Sequence, residues 1–323
     1  MSLPLELKKA LRYQRYHFIG KSGLVKPCRW LWKSLTSQGQ DHCYKQRFYG
    51  IRSHKCVQFT PVPACSQACL FCWRVQPTDL GLKWDELSWS EYDDPKELID
   101  SCIREHKRIL TGYGSNRKVS REMLEDAMAP NHLTASLVGE PTLYGAERLS
   151  TAFEEAFKRG FKTIFLVSNG TFPEVLSNLS VEPSQLYLSV CAPDEETYRR
   201  VCRPRLGDGW KRLLESIELL RSFKCPTVIR MTLARGLNLK DPEGYAKLVM
   251  KGNSTYVEPK GAMNVGYGLQ TGRMKYEHMP KHWEIMDFSK RLSEITGYRI
   301  LDDVLKSEVA LLSRLEKPVR FDQ

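Results

Sequence analysis

Three cysteines in the first quarter of the chain have the spacing of an iron–sulfur loop. Three residues separate Cys65 from Cys69 and two separate Cys69 from Cys72, so one tight loop can present three thiolates. Three thiolates can ligate three irons of a [4Fe-4S] cube, and no fourth cysteine stands beside them in the sequence to ligate the last iron. The spacing therefore predicts a cluster whose fourth iron is open to a small ligand.

A structural zinc ion is the alternative for these cysteines. A closed zinc site normally takes its ligands from two CxxC pairs, and Cys69 with Cys72 forms a single pair, so zinc needs a distant partner. Residues 55–60, which precede the loop, alternate apolar and polar side chains until Pro61 and predict a β-strand. A loop at the carboxyl end of a first strand stands where α/β barrels hold their reactive groups.

The chain alternates strand-like and helix-like segments. The strand-like segments are 55–60, 132–138, 163–167, 185–190, 227–233, 255–258 and, with a weaker pattern, 298–301. The helix-like segments between them are 143–158, 172–178, 195–201, 210–223, 242–250 and 282–295, and an earlier helix is expected to begin at Asp94-Pro95. Such alternation predicts parallel βαβ units, and the six good strands are fewer than a closed barrel of this kind requires.

We therefore predict an α/β fold: an open, partial (β/α)6 barrel of the TIM type, whose lateral opening can admit a large substrate. The barrel is expected to span residues 55–300. A basic, cysteine-bearing extension of residues 1–54 precedes it, and a C-terminal extension of residues 301–323 packs on it. A short helix is expected within residues 1–19, whereas the sequence from there to Gly50 shows no clear period.

The positive charge of the chain is concentrated before the first strand. The 323 residues carry a formal net charge of +11, and residues 1–55 account for +10 of it, with twelve Lys or Arg side chains and two acidic ones. Aromatic rings such as Tyr16 and Trp30 are interleaved with these cations, a combination that suits a phosphate backbone with exposed bases. A solvated basic extension is the alternative interpretation.

The composition favours a soluble, cytoplasmic protein. No run of eighteen apolar residues occurs, and residues 1–6 lack a charged segment followed by an apolar one, so we expect neither a membrane span nor a secretory leader. Ten cysteines in a chain of this length then indicate metal ligation or buried thiols rather than disulfides. Four of them stand in apolar or helical surroundings and are interpreted as structural: Cys102, Cys191, Cys202 and Cys225.

Polar residues follow the ends of the predicted strands, where a barrel binds its ligands. After the second strand stands Gly139-Glu140-Pro141; the glycine allows a ligand to approach, and the carboxylate can accept hydrogen bonds from an ammonium group. The alternative is a turn that feeds a helix. After the third strand, Ser168 and Asn169 can bond the polar edge of a ligand or form an ordinary turn.

Other strand ends carry further candidates. The fourth strand ends near Ser189, and the sixth is followed by a glycine-rich exit that contains Met263. Arg205 and Arg230 can contact phosphates, clamp a carboxylate or be paired in salt bridges.

With Phe71 before Cys72, the cysteine loop resembles the CxxxCxΦC signature of the radical S-adenosylmethionine superfamily. The resemblance implies a [4Fe-4S] cluster on the three cysteines, whose open iron binds the amino and carboxylate groups of S-adenosylmethionine and cleaves it to a 5′-deoxyadenosyl radical. It also implies roles at the strand ends. The Glu140 segment matches the element that binds the methionine amino group. Ser189 stands at a position that often contacts the ribose in this superfamily. Met263 can pack against the adenine ring or belong to a plain loop.

Residues upstream of the loop narrow the family further. Three cysteines precede it: Cys28, Cys43 and Cys56. By themselves they can equally be inert buried thiols. Lys45 follows the second of them, and Gly-Glu-Pro-Thr follows the second strand. With these features the chain resembles, over most of its length, the tRNA 4-demethylwyosine synthase family of wybutosine biosynthesis, in its archaeal form without a flavodoxin-like domain. The resemblance implies a second [4Fe-4S] cluster on the upstream cysteines and an active-site lysine, Lys45, that can form a Schiff base.

The resemblance also implies a reaction on tRNA(Phe). Hydrogen would leave the N1-methyl group of N1-methylguanosine at position 37, and the methylene would join carbon 2 of pyruvate. The pyruvate carboxylate would then leave, and ring closure would give 4-demethylwyosine, which is carbon–carbon lyase chemistry. Pyruvate can bind as a Lys45 imine, on the second cluster, or both. The implied partners are the tRNA anticodon stem-loop and an external electron donor such as a flavodoxin or ferredoxin; we expect a monomer without membrane contact.

Two other functions fit part of the sequence. A radical S-adenosylmethionine activase or maturase that acts on a protein or small molecule shares the loop and the barrel, but it does not need the basic aromatic front or Lys45. A non-enzymatic iron–sulfur or zinc RNA-binding module explains the charge and the cysteines, but it does not need repeated βα units or the Gly-Glu-Pro element.

Overall fold

The computed structural model describes residues 2–322 and shows an α/β fold built on one ten-stranded sheet. The strands are β1 (His17–Phe18), β2 (Leu24–Val25), β3 (Cys56–Thr60), β4 (His132–Ala135), β5 (Thr163–Ser168), β6 (Gln185–Ser189), β7 (Thr227–Leu233), β8 (Tyr256–Gly261), β9 (Arg299–Val304) and β10 (Val309–Ser313). The helices are α1 (Leu5–Tyr13), α2 (Arg29–Thr36), α3 (Tyr44–Tyr49), α4 (Pro95–Thr111), α5 (Arg121–Ala127), α6 (Ala146–Lys158), α7 (Pro173–Ser177), α8 (Glu195–Val201), α9 (Gly209–Leu219), α10 (Pro242–Gly252), α11 (Gly266–Gln270) and α12 (His282–Thr296).

The sheet runs in the order β1-β2-β3-β4-β5-β6-β7-β8-β10-β9 and is not closed. Neighbouring strands from β3 to β8 are parallel, and the connections between them contain the crossover helices that parallel pairing requires. The two edges are antiparallel, because β2 pairs with β3 on one side and β10 pairs with β8 on the other. The predicted open, partial barrel with six parallel strands is confirmed.

The antiparallel edges are where the structure departs from the sequence pattern. The weak segment at 298–301 does form a strand, β9, but it pairs antiparallel with β10, which the pattern does not predict. Strand β10 is buried at every position, so it lacks the polar alternation that marks a half-exposed strand. Strands β1 and β2 have two residues each, which is too short for any period to be detected.

One face of the sheet, the outer face, packs under the helices. Alternate strand residues such as Leu166, Leu188 and Val257 join side chains of α4, α6, α9, α10 and α12 in the main apolar core. Helix α4 begins as predicted, because the Asp94 side chain caps its first turn and Pro95 occupies its first position. No helix among residues 2–322 is long and apolar enough to cross a membrane.

The opposite, inner face of the sheet is occupied by the N-terminal part of the chain. Tyr44, Phe48 and Tyr49 of α3 pack against Phe165 of β5 and Tyr187 of β6 in a second apolar cluster. Four of the six residues of α3 are buried, which leaves the helix without a regular polar face. This is the physical reason why the sequence shows no period there.

The last described residues also reach the inner face. The Phe321 amide donates a hydrogen bond to the Tyr49 oxygen at 2.9 Å. The Phe321 ring lies edge-on to Phe165, with the ring centres 5.7 Å apart. Helix α3 and the segment at Phe321, which are far apart in the sequence, therefore both contact the interior of the barrel.

Candidate active site

A cavity of about 180 Å³ lies at the carboxyl edge of the inner face. It is lined by the predicted cysteine loop and by residues at the ends of β4, β5 and β6: Cys65, Cys69, Cys72, Gly139, Glu140, Ser168, Asn169 and Ser189. The structure therefore brings these predicted residues together from separate segments of the chain. Pro141 is buried in the turn that follows, and Met263 is 38% exposed; neither is among the residues that line the cavity, and their ligand contacts stay predictions.

A buried carboxylate holds the cysteine loop from behind. Glu86 is fully buried and accepts a hydrogen bond from the Cys65 amide at 3.1 Å. It also pairs with Arg74 at 2.9 Å and with Arg205. Such pairing is required, because an uncompensated charge in a protein interior is costly. The salt-bridged interpretation of Arg205 is confirmed, whereas Glu86 gives no sequence signal, since its arginine partners lie 12 and 119 residues away.

A second clamp on the loop comes from the segment after β8. Arg273 donates hydrogen bonds to the backbone oxygens of Cys69, at 3.1 Å, and of Arg74, at 2.9 Å. Its guanidinium also pairs with Asp79 at 2.8 Å. The loop conformation is therefore fixed by arginines from two sides, so that the thiols are positioned before any ligand binds.

Gly139 lets the chain after β4 pass directly beside the loop. Its φ is +73°, and an added Cβ would lie 2.1 Å from the Val62 oxygen and 2.6 Å from the Ala64 oxygen. The following amide, of Glu140, donates to the Ala64 oxygen at 2.8 Å. Glycine satisfies both the left-handed backbone conformation and the close contact between these two backbone segments.

The Glu140 carboxylate forms part of the cavity wall. It accepts hydrogen bonds from Thr142, from Ser168 Oγ at 2.8 Å and from the Asn169 amide at 2.7 Å. Burial raises the pKa of this carboxyl, and the hydrogen bonds oppose the rise. The Asn169 side chain in turn donates to Cys65 Sγ at 3.7 Å. Three predicted residues thus form one network that touches the cysteine loop.

The donor set of the loop fits an iron–sulfur cube. Among residues 2–322, no three His, Cys, Asp or Glu side chains stand close enough to hold a single metal ion. The thiols of a cube bind different irons, so they stand farther apart than the ligands of one ion. Cys69 acts electrostatically on both Cys65 and Cys72, so the three thiols are neighbours. Burial raises the pKa of Cys65 and of Cys72, and bound metal supplies the charge that stabilises the thiolates.

Three further thiols meet beside the inner face. Cys28 precedes α2, Cys43 precedes α3 and Cys56 begins β3. Electrostatic interactions join Cys28 with Cys56 and Cys43 with Cys28, although 27 and 14 residues respectively separate the members of these pairs in the sequence. Burial raises the pKa of all three thiols, to about 11 for Cys43. The structure brings the set together, and the binding of a second cluster there stays a prediction.

Lys45 extends from α3 into the same region. Its Nζ lies 4.2 Å from the ring centre of Tyr187 and 4.4 Å from that of Phe165, close enough for cation–π attraction. Burial lowers the pKa of Lys45 to about 8. Cys43 and Cys56 oppose this shift electrostatically, so the amine is a neighbour of the second thiol set.

A second buried carboxylate organises the surroundings of this lysine. Glu258 of β8 is fully buried and accepts hydrogen bonds from the hydroxyls of Tyr44, at 3.1 Å, and Tyr49, at 2.7 Å. It also accepts a hydrogen bond from Arg230 Nε of β7 at 3.2 Å. Burial raises the pKa of both tyrosines well above the usual value, so their hydroxyls stay protonated and can donate. Arg230 is therefore salt-bridged, one of the alternatives that the sequence leaves open.

Lys260, two residues beyond Glu258, is a half-buried amine on the same strand. Burial lowers its pKa to about 8, and its Nζ donates to the Ser307 oxygen. Glu258 and Lys260 face inward together because side chains two apart share one face of a strand, and Arg230 occupies the position paired with Glu258 on β7. The sequence patterns do not predict this cluster. The sequence feature that indicates such a cluster is a strand with ionisable residues at every second position.

The cavity and Lys45 lie in adjacent layers of the inner face. Four inward residues on or just beyond the strands line the cavity: Ser136, Val167, Ser189 and Thr232. The inward residues two positions earlier form the lysine layer: Thr134, Phe165, Tyr187 and Arg230. Two residues along a strand correspond to about 7 Å. A molecule in the cavity can therefore approach both the cysteine loop and the lysine layer.

Two family descriptions match the chain. The family model of the radical SAM superfamily matches residues 59–249. A second family model, described as wyosine base formation, matches residues 251–314. The S-adenosyl-L-methionine-dependent tRNA 4-demethylwyosine synthase of Pyrococcus abyssi is 42% identical over 318 residues, which cover 97% of this chain and 90% of that protein. The chain belongs to this synthase family.

Members of the tRNA 4-demethylwyosine synthase family match almost the whole chain. The synthase of Methanocaldococcus jannaschii is 37% identical over 319 residues, 98% of each protein. The solved structure of TYW1 with a lysine-pyruvate adduct bound is similar with a TM-score of 0.85 at 36% identity, and it covers 99% of this chain and 100% of that one. The chain is accordingly a radical S-adenosylmethionine enzyme of wyosine formation, and S-adenosylmethionine and a [4Fe-4S] cluster follow from the family.

Replacing Gly139 with alanine is expected to displace the cysteine loop, because the new Cβ meets the Val62 oxygen. Gly160→Ala is the matched control: its φ is +87°, but open space surrounds it. The control should therefore lose only the backbone preference, about 1 kcal/mol. After anaerobic reconstitution, iron per chain and the thermal midpoint should fall in Gly139→Ala well below the control. Equal values in the two variants would show that the loop does not depend on this contact.

Proposed function

We propose that this chain condenses N1-methylguanosine at position 37 of tRNA(Phe) with pyruvate to form 4-demethylwyosine, as a carbon–carbon lyase. The observation that carries the proposal is the place of Lys45, a buried amine one layer below the cavity of the cysteine loop. A structural relative that covers almost the whole chain, TYW1 with a lysine-pyruvate adduct bound, supports a lysine as the group that holds pyruvate.

We assign the [4Fe-4S] cluster of the family to Cys65, Cys69 and Cys72, and S-adenosylmethionine to the cavity beside them. On such a cluster, bound S-adenosylmethionine supplies a carbon radical that removes a hydrogen atom from the substrate. Glu140 Oε2 accepts one hydrogen bond within the chain, from the Asn169 amide, and retains capacity to accept another from an ammonium group.

We assign a second [4Fe-4S] cluster to Cys28, Cys43 and Cys56. The support is the convergence of three half-buried thiols from three segments, because thiolates removed from water need compensating charge and a bound metal would provide it. Electrons for the clusters would come from an external flavodoxin or ferredoxin. The enzyme would work in the cytoplasm, where thiols stay reduced, and as a monomer.

Lys45 holds pyruvate as an imine in this proposal. Its Nζ attacks carbon 2 of pyruvate, water leaves, and the C=N bond keeps that carbon in the layer below the cavity. Arg230 pairs with the Glu258 carboxylate, so together with Lys45 the two cations of this layer outnumber that one carboxylate. The surplus positive charge suits a substrate that carries a carboxylate.

The tRNA binds along the basic N-terminal segment in this proposal. Arg12, Arg15 and Arg108 line an open groove of about 630 Å³. The groove adjoins the cysteine loop, because Tyr16 stacks on Trp73 with the ring centres 6.2 Å apart. Phosphate contacts with these cations would hold the anticodon loop near the cavity, which the modified base enters after leaving its stack.

The wild-type chain is expected to bind about eight irons after anaerobic reconstitution, and Cys28→Ala and Cys65→Ala about four each, because each variant loses one three-thiol site. Iron and acid-labile sulfide assays measure this. Cys225→Ala is the control and should keep the wild-type content, since that thiol belongs to neither set. If wild type and Cys28→Ala both bind about four irons, the upstream cysteines are structural and the second cluster does not exist.

Lys45→Ala should abolish 4-demethylwyosine while 5′-deoxyadenosine still forms, because pyruvate is no longer held but the cysteine loop is intact. Lys260→Ala is the matched control, since removal from water lowers the pKa of both amines to about 8. Borohydride reduction with pyruvate should add the three-carbon unit to Lys45 in wild type and in Lys260→Ala, as located by peptide mass spectrometry. An adduct on Lys260 in the wild type would show that Lys260, and not Lys45, binds pyruvate.

Arg12→Ala combined with Arg15→Ala should weaken binding of the tRNA(Phe) anticodon stem-loop. The affinity falls as salt rises, and each lost phosphate contact should make the negative slope of log affinity against log salt shallower by about 0.7 to 0.9. Fluorescence anisotropy titrations at several KCl concentrations measure both effects. Lys211→Ala, which removes an exposed cation of α9, is the control and should keep the wild-type slope. A double variant with the wild-type slope would contradict a role for this groove in RNA binding.

A further inference from the structure

A second concave surface lies at the rim of the barrel. This rim groove has a volume of about 730 Å³ and lies between the start of α12, the segment before it and the turn that joins β9 to β10. Apolar side chains contribute to its lining: Met279, Trp283, Met286 and Leu305. None of them belongs to the cavity of the cysteine loop.

The rim groove stands at the same edge of the sheet as the active-site cavity. Arg235, which follows β7, and Glu308, which precedes β10, both line it. The Gly261 amide, at the carboxyl end of β8, donates to the Glu308 oxygen at 2.7 Å. Lys260 donates to Ser307 in the same turn. The groove is therefore joined to the inner face of the barrel through the end of β8.

Aromatic rings are exposed at this groove. Trp283 is 60% exposed and Tyr276 is 82% exposed, and Leu305 beside them is 64% exposed. A contiguous set of large apolar side chains on a protein surface indicates a binding site. Exposed flat rings suit stacking with nucleobases, since every base presents a π-face.

The charges around the rim groove balance. Its lining contains three cations and three carboxylates: Arg235, Lys281, Lys290, Glu277, Asp287 and Glu308. Such a lining does not attract a phosphate backbone, and it does not complement a strongly charged protein partner either. It suits the neutral face of a base, while the basic N-terminal segment provides the cations for the phosphates.

The groove is built by the part of the chain that lies beyond the superfamily match. The radical SAM match ends at residue 249, and wyosine base formation matches residues 251–314. All the lining residues except Arg235 fall within this second segment. The groove therefore belongs to the segment that is specific to wyosine chemistry and not to the barrel that the superfamily shares.

We propose that the rim groove binds an unpaired nucleotide of the RNA substrate, with its base stacked on Trp283. The inference rests on the proposed function, because it takes the anticodon stem-loop as the substrate. The nucleotide is a neighbour of the modified guanosine. Its capture at the rim keeps the loop unstacked while the target base enters the cavity.

Trp283→Ala should raise the Kd for a fluorescently labelled tRNA(Phe) anticodon stem-loop about tenfold, because one stacked base is lost. Trp283→Phe retains a flat ring and should stay within about threefold of wild type. Phe157→Ala, which removes a 38%-exposed ring from α6 on the outer face, is the matched control and should leave the Kd unchanged. Formation of 5′-deoxyadenosine without RNA should be the same in all four proteins.

Three results would overturn the inference. A wild-type Kd in Trp283→Ala would show that no base stacks on this ring. An unchanged Kd together with slower reduction of the clusters by a flavodoxin would assign the groove to the electron donor. A wild-type protein that does not bind the stem-loop at all would refute the proposed RNA substrate as well, and this differs from a loss confined to Trp283→Ala.

Discussion

The buried carboxylate of Glu258 is the constraint on which the interior of this barrel depends. It lies on the inner face of the sheet without access to water, so its charge must be satisfied by donors from the chain. Arg230 on the neighbouring strand is one donor, and Tyr44 and Tyr49 of α3 are two others. Because two of these donors lie on α3, the helix is fixed against the sheet. Lys45, which lies between them in the sequence, is thereby held in the layer below the cavity.

Three parts of the chain build the site, and they differ in the protein family that each part matches. The cysteine loop lies in the segment that matches the radical SAM superfamily, residues 59–249. Glu258 and the rim groove lie mainly in the wyosine segment, residues 251–314. Lys45 and the upstream cysteines precede both matches. The common barrel therefore supplies the place for radical formation, and the two flanking parts supply the groups proposed to hold pyruvate and RNA.

Local signals were sufficient to predict much of this architecture. The cysteine spacing, the Asp94 cap and the strand ends at Glu140 and Asn169 are each contained in a few neighbouring residues, and parallel strands place such ends at one edge. The remaining features depend on contacts between distant segments. Glu86 is paired with an arginine 119 residues away, and α3 has no period because the barrel encloses it. The sequence around Glu86 does not identify its arginine partner, and the sequence around α3 does not identify the strands that enclose it.

The contacts of the C-terminus bear on the order in which the enzyme is made. Tyr49 is synthesised early, but its backbone oxygen receives the amide of Phe321, and the Phe321 ring packs on Phe165 under Lys45. Helix α3 leaves the ribosome before the strands β5, β6, β8 and β10 that surround it. The aromatic surface of α3 therefore stays exposed, or is transiently covered, until these later strands have been synthesised. The lysine environment is consequently complete only after Phe321, 272 residues beyond Tyr49, has been synthesised.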